Sequence, residues 1–148
     1  MTGQRLGRPA APGPRCFSAR FDLEQLAATR QSIMCAAQGY GLRGHELDGF
    51  ILAVNEIIAN AIAHGGGHGR MRLWSDGHRL RCQVTDNGPG LPVEYRAAPR
   101  PPLSAAGGRG LWLARHFCRL EIRTSAYGTT IELSTPAPRR DVIPAFPA

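Results

Sequence analysis

Glu56, Asn60 and His64 stand four residues apart in the stretch FILAVNEIIANAIAHGGGHG, residues 50–69. A carboxylate, an amide and an imidazole at that spacing fall along one side of a helix. A carboxylate there can accept a proton, and an amide oxygen is a hard ligand for a divalent cation. Taking about 100° per residue, Val54, Ile57, Ile58 and Ala61 define the apolar side, with the three polar residues nearly opposite. They could form a solvated face, as nearly every surface helix has, or a site. One feature weighs toward a site: no arginine lies between Arg43 and Arg70, although the chain is rich in them elsewhere.

Two further stretches carry types suited to a ligand. DNGPG, Asp86 to Gly90, follows a strand-like run. A D-x-G-x-G turn lets backbone pass close to a flat ligand while a carboxylate presents acceptors, although all these residues also build ordinary tight turns. GGRGLWLARHF, Gly107 to Phe117, puts Gly108 and Gly110 where a loop enters a helix. Free backbone N–H groups and the dipole suit phosphates there, and a flexible linker is the plain alternative.

The elements that must hold these residues follow from periodicity. RCFSARFD alternates as an edge strand does, and Asp22 is placed to cap a helix LEQLAATRQSIMCAAQ that Gly39 and Gly41 end. A helix follows from His45 to His64. Met71/Leu73 and Leu80/Cys82/Val84 then alternate with arginines and Gln83 around Asp76-Gly77, which predicts a hairpin with one buried face. Gly88 to Gly110 has no period, and an aperiodic stretch of about 20 residues in a compact domain is usually a lid or binding loop. A helix at about Arg109 to Leu120 precedes the strands LEIRTS and GTTIELS, joined at Tyr127-Gly128. The order β-α-α-β-β-loop-α-β-β predicts an α/β (α+β) two-layer sandwich, with helices on one face of a mixed, mostly antiparallel sheet.

At 148 residues the chain has the length of one domain. We expect it over residues 15–135, with disordered tails at 1–14 and 136–148, which hold more than half of the 12 prolines. No apolar run such as FILAV suggests a membrane span, and the N-terminal residues carry charge without the apolar stretch of a signal peptide, so the expected location is cytoplasmic. Cys16, Cys35, Cys82 and Cys118 are too dispersed for a zinc or redox pair. His64 and His68 have metal spacing, but the glycines between them argue against a continuous helix and a zinc pair. The net charge of +7 raises nucleic acid as a partner, yet the arginines read as scattered and no aromatic-basic interleaving accompanies them.

All 18 basic residues are arginine; there is no lysine. That excludes a P-loop, a eukaryotic-type protein kinase and Schiff-base chemistry, each of which needs an amine. A nucleotide site here must work by other means.

Taken in order, E-x-x-x-N on a helix, D-x-G-x-G after a strand, a Pro/Gly loop, G-x-G at a helix start and a strand bearing GTT resemble the GHKL ATPase superfamily with the Bergerat fold. EIIANAIAHG in particular is similar to the helix of the small bacterial anti-sigma-factor serine protein kinases. The resemblance implies ATP and Mg²⁺ as ligands. It implies Asn60 as the Mg²⁺ ligand, Glu56 as the general base, and Asp86 as acceptor of the adenine amino hydrogen above Gly88 and Gly90. Gly108, Gly110 and Leu111 would lie by the phosphates and Thr129 by the adenine pocket; Arg109 would either touch a phosphate or face solvent in the lid, and for His64 we expect a structural role more than a ligand role. It further implies a kinase that holds a sigma factor inactive and phosphorylates a STAS-type anti-sigma antagonist, or else an ATP-binding switch that sequesters a protein without phosphotransfer. Homodimerisation, common in such proteins, could use the exposed first strand.

Overall fold

The structure is a computed structural model and describes residues 16–91 and 109–137. Its elements run β1 (Phe17–Asp22), α1 (Leu26–Gly39), α2 (Gly44–His64), β2 (His68–Ser75), β3 (Arg79–Asp86), α3 (Arg109–Phe117), β4 (Arg119–Ser125) and β5 (Gly128–Pro136). This is the order expected from the sequence. The five strands form one sheet in the order β1-β2-β3-β5-β4, and each neighbouring pair is antiparallel. The sheet expected to be mixed is therefore antiparallel throughout its described strands. The tails at 1–14 and from 138 onward lie outside the described residues; Pro136 belongs to β5, and the Ala137 N–H donates to the His78 carbonyl at 3.2 Å.

Alternation decides which face of the sheet is covered. Met71 and Leu73 on β2, Leu80, Cys82 and Val84 on β3, and Ile131 and Leu133 on β5 are all buried, with the arginines between them pointing to the other face. Against this apolar face lies α2, on which Ala53, Val54, Ile57 and Ile58 have no exposed surface. Each large aliphatic or aromatic side chain so buried stabilises the fold by about 1.5–3 kcal/mol. By length and composition alone α2 is long and apolar enough to cross a membrane. Its apolar side is instead the centre of the core.

Two local details position the site. Asp22 accepts the Gln25 N–H at 2.8 Å, but α1 begins only at Leu26, so the aspartate closes the turn leading into the helix and is not its N-cap. Gly49 of α2 faces Phe117 of α3, and a Cβ at Gly49 would lie 2.6 Å from the ring. Missing side-chain bulk there lets α3 dock closely on α2.

The β2–β3 turn is held by Asp76, whose Oδ1 accepts the N–H groups of His78 (2.9 Å) and Arg79 (2.8 Å) while Oδ2 accepts from Arg81 Nε at 2.7 Å. Burial pushes the Asp76 carboxyl upward, but the Arg79 N–H, the Arg81 guanidinium and the His78 N–H outweigh it and hold the group at about 2. Gly77, at φ +92°, supplies the left-handed residue that this turn requires.

Candidate nucleotide site

The three candidate stretches converge at one end of the sheet. Asp86 is the last residue of β3, and its side chain follows Leu80, Cys82 and Val84 onto the helix-covered face. There it meets the C-terminus of α2. A Cβ on Gly65, the residue after α2, would collide with the Asp86 carboxyl group and with the Ala61 carbonyl. A Cβ on Gly88 would lie 2.5 Å from Gly65 Cα and 2.7 Å from the His64 carbonyl oxygen. Helix end and D-x-G-x-G turn are thus interlocked backbone against backbone.

The Asp86 carboxylate is half-buried and uses Oδ1 to accept the Gly88 N–H at 3.0 Å. Oδ2 has no partner among the described residues. It is free to accept from an exocyclic amino group, whereas a ring carbonyl in the same place would be repelled. Directly across the β3–β5 ladder stands Thr129, buried, its Oγ1 at 2.9 Å from Thr124 Oγ1. Thr124 Oγ1 also accepts the Leu91 N–H at 2.8 Å, tying the chain beyond Gly90 to β4. Gly90 is at φ +95°, with the Ser125 carbonyl where its Cβ would be, so no other residue fits this passage without strain.

Glu56 and Asn60 lie on α2, half-buried, and their side chains make no hydrogen bond or ion pair among the described residues. One helical turn apart, their Cβ atoms are about 5–6 Å from each other. Polar side chains at this depth without partners are open to a ligand. An amide oxygen beside a carboxylate is a donor set suited to Mg²⁺ that keeps several waters and phosphate oxygens as its other ligands. His64, the third member of the series, is half-buried and already engaged.

Arg109 and Gly110 are the first two residues of α3, so the described part of the G-R-G sequence opens a helix. Gly108 and most of the expected lid lie outside the described residues. Leu111 is fully buried in the core, which leaves only its backbone for any ligand. Sequence reasoning missed Gly65 and Thr124. The GGG run hinted at the first, and the second follows only from strand register, which sets it opposite Thr129.

Comparisons with known proteins bear on the fold that carries this geometry. The family model described as histidine kinase-like ATPase domain matches residues 19–135. The signal transduction histidine-protein kinase AfsQ2 of Streptomyces coelicolor is 34% identical over 67 residues, 39% of this chain, and the chain spans 12% of that relative's length. A mycobacterial sensor histidine kinase, MprB, superposes with a TM-score of 0.53 at 18% identity, covering 84% of this chain and 100% of that one. The catalytic domain of the histidine kinase ThkA does so with a TM-score of 0.51 at 14% identity, covering 84% and 99%. These structures share the fold of the two-layer sandwich described above. With the family match extending over most of its length, this chain belongs to the histidine kinase-like ATPase domain family, within the GHKL superfamily.

Proposed function

We propose that this chain binds Mg-ATP between the second half of α2 and the Asp86–Gly90 turn and is a serine protein kinase of the anti-sigma-factor type. Its substrate would be a STAS-type anti-sigma antagonist, and its sequestered partner a sigma factor. The observation that carries the reading is the interlock of Gly65 with Asp86 and Gly88, which brings a helix bearing Glu56 and Asn60 against a turn bearing the Asp86 Oδ2, all three without a side-chain partner among the described residues. Asp86 Oδ2 would accept the adenine amino hydrogen, with Thr129 beside it. Asn60 would hold Mg²⁺, which when bound neutralises phosphate charge as the γ-phosphoryl leaves.

Glu56 would take the proton of the serine hydroxyl as its oxygen forms the new P–O bond and the bond to the β-phosphate breaks, releasing ADP. The choice of serine over histidine as acceptor rests on the likeness of EIIANAIAHG to the anti-sigma kinases. A switch also needs ATP and ADP forms that differ in affinity for each partner.

The test is to incubate the protein with Mg-ATP and candidate STAS proteins and read a phosphate mass increment that survives acid. An acid-stable increment lost in Glu56→Gln supports the proposal. An acid-labile increment would make the chain a histidine kinase domain. Bound ATP with no transfer to any candidate would leave a sequestering switch.

A further inference from the structure

The face of the sheet opposite the helices holds a pattern that the nucleotide site does not use. Strand register places Arg20 of β1 directly across from Arg70 of β2, then Thr85 of β3, Thr130 of β5 and Arg123 of β4 in one continuous row. The three arginines are exposed and form no ion pair among the described residues. Like charges directly opposite on neighbouring strands are destabilising, so the Arg20–Arg70 pair opposes folding of the free chain. The two threonines between the arginines bond to each other, Oγ1 to Oγ1 at 3.3 Å, and make a low floor.

The surface over this row is grooved at its β1–β2 side and shallows toward β4. A groove of about 560 Å³ is lined by Arg20, Arg70 and Thr85, and an adjoining one of about 340 Å³ by Thr85, Thr130 and Arg123. They meet at Thr85, Asp86 and Asn87, and Tyr127, 88% exposed, stands at the far end. With strands about 4.8 Å apart the trough spans about 19 Å, the length of an extended segment of about six residues.

We propose that this trough docks an extended, carboxylate-rich segment of a partner protein, with Arg20, Arg70 and Arg123 gripping its acidic side chains and Tyr127 packing at one end. Arginine forks match carboxylates bidentately, and bound carboxylates would turn the Arg20–Arg70 repulsion into attraction. The neighbouring row decides against a polyanion such as nucleic acid. That row runs Ser18, Arg72, Gln83, Glu132 and Glu121; its β4–β5 end is acidic, and among the described residues only Glu132 of the two glutamates is paired, with Arg81 at 2.9 Å. Asp22 borders the trough on its other side, on the same face of β1 as Arg20. Glu121 at one flank and Asp22 at the other repel a second phosphate strand but leave room for a single peptide. A second copy of this chain would set arginine row against arginine row. The proposal does not depend on nucleotide binding.

The probe is a capped hexaglutamate peptide titrated into the full isotope-labelled chain and followed by backbone NMR in low salt. Saturable shifts at Arg20, Arg70, Thr85, Thr130 and Arg123 are expected. Arg70→Glu should weaken binding at least about tenfold while raising the thermal midpoint, since it makes an opposite-charge cross-strand pair. Arg123→Glu should weaken binding without touching that pair. Shifts confined to the helices, no saturable shift, or unchanged peptide affinity in both variants would overturn the proposal. Tighter binding of a DNA duplex than of the peptide at physiological salt would assign the face to nucleic acid instead. A dimer in sedimentation that Arg70→Glu dissociates would assign it to self-association.

Discussion

Gly65 and Asp86 meet so closely that no side chain fits between the end of α2 and the end of β3. The helix carrying Glu56 and Asn60 is thereby held in fixed relation to the turn carrying Asp86, although about 20 residues separate the two stretches in sequence. Gly65→Ala should therefore cost about 2–3 kcal/mol in urea unfolding and weaken nucleotide binding together. Gly67→Ala, at φ +86° with open space around its Cβ, should cost about 1 kcal/mol and leave the nucleotide affinity alone. Equal effects of the two would show that the interlock is not what orients the site.

Glu56 and Asn60 should separate in kinetics. Glu56→Gln keeps shape and hydrogen-bonding capacity but loses the base, so transfer should fall about 100-fold or more, with ATP affinity within a few-fold of wild type. Asn60→Ala should instead abolish the Mg²⁺ dependence of ATP binding. Single-turnover transfer and calorimetry read the two quantities independently, and parallel loss of both in Glu56→Gln would make that residue structural.

Asp76 gives the fold a predictable acid limb. Its carboxyl is held at about 2, below its unfolded value, so its contribution is complete above that unfolded value, near pH 4, and is lost as pH falls through about 2. Asp76→Ala should cost about 0.5–1 kcal/mol at pH 7, modest because the turn is solvent-exposed, and that difference should vanish toward pH 2. A stability gap that is independent of pH would contradict the charge-assisted turn.

The cysteines should divide by burial. Cys35 is exposed and should react with iodoacetamide at pH 8 in the native protein. Burial pushes the Cys82 thiol well above its ordinary value, and burial, partly offset by Arg79, pushes that of Cys118 up to about 11. Both should react only on unfolding, as peptide mass mapping can follow. Rapid native alkylation of Cys82 would mean that the sheet face is not packed as described.

Much of the architecture was legible because it depends on local pattern. The period of Phe50 to Ala61 identified the core helix, and the alternation through Met71 to Val84 identified the hairpin with its buried face. The start of α1 was not, since Asp22 closes a turn before the helix and both arrangements use the same side-chain contact. Arginines that read as scattered along the chain prove to be gathered, because alternation sends them to one face and register then aligns Arg20, Arg70 and Arg123. Register is a long-range property. For the same reason Thr124 could not be placed beside Thr129 from sequence, while Asp86, Gly88 and Gly90 carried a local signature.

The most direct measurement of the central claim is a calorimetric titration with ATP and with GTP, each with and without Mg²⁺, on wild type and Asp86→Asn. The account predicts tight binding of ATP that is strengthened by Mg²⁺, GTP weaker by about 100-fold, and loss of most ATP affinity in Asp86→Asn. Binding of ATP and GTP with equal affinity, or ATP binding unchanged by Asp86→Asn, would contradict it.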